Sequence, residues 1–168
     1  MASFYDRHIL PRLIGCACSS KPVMKQRAKV VPRAEGRVLE LGVGGGLNLA
    51  LYDPARVTAV VGVDPSDALR TRAAEAPRAP GLQVELVDGC AEALPFEDAA
   101  FDSVVCTFTL CSVALPPESL AEARRVLKPG GRLLFAEHGL APDADVVRWQ
   151  QRIEPIWKRM ASMLLSKE

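Results

Sequence analysis

The segment Glu40-Leu41-Gly42-Val43-Gly44-Gly45-Gly46-Leu47-Asn48 sets an acid two residues ahead of a run of glycines. Glycines in such a place let the backbone approach a ligand closely, and a helix beginning at Gly46 would add the positive end of its dipole. A second acid, Asp64, closes the β-branched run Val57-Thr58-Ala59-Val60-Val61-Gly62-Val63 and is followed by Pro65 and Ser66. The turn reads GxGxG. A dinucleotide fingerprint starting at Gly42 needs its third glycine at position 47, which is Leu47.

Charge then narrows the ligand. A pyrophosphate is opposed by Glu40, whereas a cofactor carrying an ammonium group is attracted by it. A carboxylate at position 64 can accept hydrogen bonds from both hydroxyls of a ribose. S-adenosylmethionine has an amino group, a sulfonium and no phosphate, and meets both conditions. A nicotinamide cofactor shares the ribose, but Glu40 opposes its pyrophosphate and Leu47 stands where its third glycine is needed. The plainer alternative is that the glycines only turn the chain and Asp64 only caps the next helix.

These residues need a frame. Arg37–Leu41, Val57–Val63, Leu82–Val87, Phe101–Phe108 and Gly131–Ala136 read as strands by length and composition. Helices are expected over Gly46–Tyr52, from an N-cap at Ser66 to Ala76, and over Pro117–Leu127. Lys128-Pro129-Gly130-Gly131 suits a type II turn. Strands alternating with helices imply parallel strands and right-handed crossovers, so the fold class is α/β, doubly wound. Residues 1–35 and 143–165 carry apolar residues at helical spacing and are expected as flanking helical segments of a single domain.

Composition limits the alternatives. The 168 residues suffice for one core. With 21 basic and 20 acidic residues the net charge is +1, which argues against a nucleic-acid partner. No apolar run is long enough for a membrane span, and Pro11 and Arg12 interrupt any secretory signal. The five cysteines are odd in number and none forms a CxxC pair, so reduced thiols, no metal and a cytoplasmic location are expected. Lys21, Lys25, Arg27, Lys29, Arg33 and Arg37 face only Glu35 in their stretch. A solvated helix face is the ordinary explanation, and peripheral contact with anionic lipid or an acidic partner is the sharper one.

Four blocks carry a resemblance: Val38 to Gly46, Val63-Asp64-Pro65-Ser66, Ala91-Glu92-Ala93-Leu94-Pro95-Phe96, and Leu127 to Leu133. Together they resemble the class I S-adenosylmethionine-dependent methyltransferases of the "type 11" kind. That resemblance implies a Rossmann-like sheet in the order 3-2-1-4-5. Cys106-Thr107-Phe108-Thr109-Leu110-Cys111-Ser112-Val113, Glu137-His138-Gly139, Arg148-Trp149-Gln150-Gln151 and Pro155-Ile156-Trp157 resemble, more narrowly, the small methyltransferase family that includes the animal alkyl-thiol methyltransferases. The implied roles are Glu40, Gly42 and Gly44 along the methionine end of the cofactor, with Gly46 opening the helix beneath it. Asp64 would hold the ribose, Pro65 and Ser66 would border the adenine, and Cys90 and Ala91 would lie along its edge. Many relatives have Asp where this chain has Cys90. A thiol accepts hydrogen bonds poorly, so adenine contact falls to the Ala91 N–H or to Asp88.

On the acceptor side, His138 is expected at the end of the fifth strand, either as a proton acceptor or as a structural histidine. Thr107 and Cys111 follow the fourth strand toward the same edge, with Cys111 lining the pocket. Tyr5 is a candidate cap over that pocket. The expected acceptor is a small, apolar molecule, with a thiol among the candidates. Class I members usually end in an antiparallel strand pair beside the fifth strand, and Lys158–Glu168 is too short for both strands. The fifth-strand edge would then be open or covered by a second copy of the chain. A non-catalytic or truncated cofactor-binding protein that needs a partner chain is the alternative reading.

Overall fold

The apolar runs become five parallel strands: β1 (Gly36–Leu41), β2 (Val57–Val63), β3 (Val84–Val87), β4 (Phe101–Thr107) and β5 (Leu127–Ala136). They lie in the order β3-β2-β1-β4-β5, as expected. The structure is a computed structural model and describes residues 19–137, 139, 143–145, 147–149 and 151–152. The described helices are α1 (Lys21–Val30), α2 (Asp67–Glu75) and α3 (Pro116–Val126), with a 3-10 turn at Val31–Arg33. The backbone is also helical at 144–145, 147–149 and 151–152.

Period-two alternation divides the inner strands between two faces. Leu39, Leu41, Val61, Val63, Val104 and Cys106 pack on one face with Ala123 and Val126 of α3. Val38, Val60 and Val105 pack on the other with Val31, Leu49 and Tyr52. The same alternation sends Glu40 and Thr107 to the second face, at its carboxyl end. A strand buried on both faces tolerates a polar side chain only where partners wait for it.

Segment ends follow local chemistry. The Ser66 side chain accepts from the Leu69 N–H and caps α2, as expected. β4 stops one residue earlier than expected because Phe108 turns into the left-handed region (φ +54°). Its N–H is then held by the Ala136 carbonyl at 2.8 Å. β5 begins at Leu127 and not at Gly131: Phe101 pairs with Leu127 and Ser103 with Arg132, so Lys128–Gly131 bulges out of the register. Gly130 has φ +78°, as a type II turn there requires. Arg125 fastens the 94–98 loop to α3 through the Leu94 and Phe96 carbonyls and Asp98.

The helix expected over Gly46–Tyr52 does not form. Gly46 has φ +78°, which no α-helix accommodates, and the segment proceeds by turns of the Leu49 N–H to Gly46 C=O and Leu51 N–H to Asn48 C=O kind. Gly46 therefore opens no helix beneath a ligand. A Cβ added there would lie 2.7 Å from the Ala76 Cβ, whereas one at Gly45 would meet nothing within 4 Å. Gly46→Ala should therefore destabilise the fold by about 1–3 kcal/mol through strain and overlap, while Gly45→Ala stays within about 1 kcal/mol of wild type. Chemical denaturation of the two variants checks the contrast.

Candidate functional site

Ligands of doubly wound sheets sit outside the carboxyl ends of the strands, and here the glycine turn and both acids gather at that edge. The Val43 N–H bonds to the Val63 carbonyl at 3.1 Å and pins the turn to the end of β2. Asp64 bridges the turn and α2: its Oδ2 accepts from the Gly44 N–H at 3.0 Å and its Oδ1 from the Ser66 N–H at 2.9 Å. Burial raises the Asp64 carboxyl above its ordinary range, opposed by those two N–H groups and by Arg70. Arg70 donates to the Asp64 carbonyl and to Asp88 at 2.7 Å, so it clamps the loops after β2 and β3 together. Cys90 is exposed and bridges to Ala93, and Ala91 is buried beside it.

Glu40 lies beneath the turn, 2% exposed. Its Oε1 accepts from Asn48 Nδ2 at 2.9 Å and its Oε2 from the Tyr52 hydroxyl at 2.7 Å. Thr107 Oγ1 accepts from Asn48 Nδ2 at 2.9 Å and from Arg27 Nη1 at 2.6 Å. Arg27 Nη1 also donates to Asn48 Oδ1 at 3.0 Å. The guanidinium stacks 5.1 Å from the centre of the Phe108 ring. A cation, two hydroxyls and an amide thus surround one carboxylate. Burial pushes the Glu40 carboxyl up to about 7, held back by Tyr52, Asn48 and the charge of Arg27.

The β4 and β5 half of the edge has its own acid. Glu137 Oε1 accepts from the Thr109 N–H at 2.9 Å, the Leu110 N–H at 3.1 Å and the Cys106 thiol at 3.4 Å. Its Oε2 is buried and receives no hydrogen bond from any described residue. Burial, then the Glu137 charge, pushes the Cys106 thiol far above its ordinary value, so it stays protonated. Thr109 ties this half to the glycine turn: it donates to the Leu41 carbonyl, and a Cβ at Gly42 would lie 2.5 Å from its Cγ2. Cys111 is exposed, with its thiol against the Phe108 carbonyl and Ser112. His138 and Tyr5 lie outside the described residues. A cavity of about 260 Å³ lies at the opposite edge, among Glu35, Asp102, Lys128 and the Gly130 turn, away from these groups.

Residues 39–135 match the family described as "Methyltransferase domain". The chain belongs to this methyltransferase-domain family. It is 37% identical over 84% of its length to the thiol S-methyltransferase TMT1B of Homo sapiens, and 40% identical over 82% to the demethylmenaquinone methyltransferase of Thermus thermophilus. Those matches cover 60% and 62% of the relatives, so the chain spans about three fifths of their length. Among solved structures, the YcgJ protein of Bacillus subtilis matches with a TM-score of 0.61 at 28% identity, covering 79% of this chain and 57% of that one. An S-adenosylmethionine-dependent methyltransferase of Thermotoga maritima matches with a TM-score of 0.62 at 26% identity, covering 90% and 70%.

The cofactor of this methyltransferase domain is S-adenosylmethionine, and the residues present fit it. Gly45 leaves an open face on the turn, where a Cβ would meet no atom within 4 Å. Each Asp64 oxygen accepts one backbone N–H and keeps acceptor capacity for a vicinal diol. Among the described residues, no group of His, Cys, Asp and Glu is placed to hold a metal ion. No described helix is long and apolar enough to cross a membrane.

Thr107, expected at the ligand edge, is buried and points into the cluster with Arg27 and Asn48. The structure also reveals partners that are not among the residues expected from the sequence. Asn48 and Tyr52 carried a signal, being polar groups four residues apart directly after the glycine turn. Glu137 was visible only as the neighbour of His138. Arg27 carried none, because it sits in a run of basic residues whose other members are exposed.

A carboxyl raised by burial has a definite pH signature. The folded protein keeps a proton on Glu40 that the unfolded chain releases between about pH 4.5 and 7. The contribution of Glu40 to stability therefore falls as pH rises through that window and levels off above it. The stability of wild type relative to Glu40→Gln should drop by roughly 1 kcal/mol per pH unit across the window. Urea denaturation of both proteins at several pH values measures it.

Proposed function

We propose that the chain is an S-adenosylmethionine-dependent methyltransferase acting on a small, apolar acceptor, with a thiol as nucleophile. The observation that carries this reading is Asp64, bonded to the Gly44 and Ser66 N–H groups and keeping acceptor capacity beside an open glycine face. The similarity to a thiol S-methyltransferase over 84% of the chain supports the choice of sulfur.

When bound, S-adenosylmethionine supplies a methyl carbon made electrophilic by its sulfonium. The rest is the work of the chain. Glu40, with Gly42, Gly44 and Gly46 above it, would set a negative charge under the ammonium end. Asp64 would accept from the ribose hydroxyls, and Pro65, Ser66, Asp88, Cys90 and Ala91 would border the adenine. Glu137 would take the acceptor's hydrogen on Oε2, with His138, Cys111 and Tyr5 as further candidates on that side. A thiol of pKa about 8.5 needs little help to ionise, so exclusion of water and alignment supply much of what the reaction requires.

A second reading is favoured by one observation. Among the described residues β5 is the outer strand of the sheet, and its Phe135 is 62% exposed. An open edge of this kind invites a second copy of the chain or another partner, and the protein alone would then bind cofactor without turnover. Sedimentation of the purified protein, followed by turnover assays across concentration, separates the two.

Calorimetric titration with S-adenosylhomocysteine should show saturable binding that weakens at least tenfold in Asp64→Ala. A wild-type protein that binds none at millimolar ligand sinks the reading. Labelled S-adenosylmethionine offered with small thiols, phenols and amines should place the label on sulfur. Glu137→Gln keeps an oxygen for the Thr109 and Leu110 N–H groups and puts an NH2 where Oε2 stands. Its turnover at neutral pH should fall by about tenfold, since a thiol there is only a few per cent ionised without a base, with S-adenosylhomocysteine affinity unchanged.

A further inference from the structure

The glycine turn and its acids belong to the segment that matches the methyltransferase domain, residues 39–135. The charge partner of Glu40 does not. Arg27 projects from α1, ahead of that segment, and is the buried member of a helix whose lysines, Lys21, Lys25 and Lys29, are exposed. A guanidinium only 6% exposed is a large desolvation to sustain. Its hydrogen bonds show what it organises.

Asn48 sits between Arg27 and Glu40, and its amide has two ends. Arg27 can only donate, so the Asn48 oxygen must face it. The Asn48 NH2 is then turned toward Glu40 Oε1 and Thr107 Oγ1. Without the cation the Asn48 oxygen loses its donor, and only the Glu40 and Thr107 acceptors are left to hold the amide. Arg27 also donates directly to Thr107, so one nitrogen holds both Asn48 and the hydroxyl that accepts from Asn48 Nδ2. The stack on Phe108 fixes the guanidinium against the residue that ends β4.

Among the described residues, the groups that act on the charge of Glu40 are Tyr52, Asn48 and Arg27. Tyr52 faces it from the turn segment and stays protonated, because its own ionisation is pushed far upward by burial and by the Glu40 charge. Arg27 faces it from α1 and is the cation that favours its charged form. Asn48 and Thr107 are neutral. A neutral acid would attract an ammonium group poorly, so what keeps Glu40 charged also sets how well that end of the site binds.

We propose that Arg27 is a positioning residue for the cofactor: from α1, through Asn48 and Thr107, it holds Glu40 in place beneath the glycine turn and supplies the opposing charge. Cofactor affinity is then set in part by a helix that lies outside the glycine-and-acid motif. The coupling is reciprocal, since a ligand that favours charged Glu40 also favours α1 in its docked position. This rests on S-adenosylmethionine occupying the site as described above.

The test is calorimetric titration of S-adenosylhomocysteine between pH 6 and 8 with wild type, Arg27→Met and Arg27→Lys. Wild-type affinity should rise with pH as Glu40 ionises. Arg27→Met should bind at least tenfold more weakly at pH 7, with the rise displaced to higher pH. Arg27→Lys retains the charge and gives up the planar guanidinium stacked on Phe108, so its affinity should fall severalfold while the midpoint of the rise stays near that of wild type. Limited trypsin digestion adds an independent readout at Lys25 and Lys29. S-adenosylhomocysteine should protect these sites in wild type and not in Arg27→Met. Should Arg27→Met fail to fold, Arg27→Lys decides, and unchanged affinity in it overturns the proposal. If wild type binds and folded Arg27→Met shows the same affinity and pH profile, the proposal fails while the cofactor reading stands. If wild type does not bind, the cofactor reading itself has failed and the proposal goes with it.

Discussion

A carboxylate buried in the central strand of a parallel sheet is the constraint around which this molecule is arranged. Glu40 pairs with Gly62 of β2 on one side and Val105 of β4 on the other, so no solvent reaches it along the sheet. A charge in such a place is tolerated only with hydrogen bonds and a counter-charge. Asn48 and Tyr52 bend back to meet it, and Arg27 comes in from α1. The turns at 47–52, the docking of α1 and the polar end of the second sheet face all follow from supplying those partners.

The sheet edge divides into two halves with different chemistry. Between β1, β2 and β3, Asp64 joins the glycine turn to α2 and Arg70 joins the loops that carry Asp64 and Asp88. Between β4 and β5, Glu137 anchors the loop that follows β4. Thr109 connects the halves, bonded to Glu137 through its N–H and packed on Gly42 through its side chain. Movement in either half is therefore felt by the other over a single residue. An architecture of this kind suits a reaction in which two reactants must be aligned and water kept out, and in which little charge has to be created.

The strand order was implied by the family resemblance; the strands themselves, the cap at Ser66 and the placement of Asp64 at the end of β2 were legible in the sequence. Each depends on neighbours close in the chain: apolar runs of strand length, a serine ahead of a helical pattern, an acid at the end of a β-branched run. The helix expected after Gly46 rests on its place between two parallel strands, and the left-handed Gly46 and the demand of Glu40 for Asn48 and Tyr52 override that expectation. β5 starts earlier than its apolar run because Leu127 pairs with β4 across a bulge that no periodicity reveals.

By itself the sequence determined the sheet, its cofactor edge and the kind of ligand that edge can take, because glycine spacing and the sign of nearby charge are properties of short segments. Tertiary structure decided which side chains serve them. Arg27 is 21 residues from Asn48 and 80 from Thr107 along the chain. Glu137 is 28 from Thr109. Contacts over such distances exist only once the sheet has closed the gaps. A basic residue among basic residues becomes the buried partner of an acid only when a helix is laid across the strand that carries it.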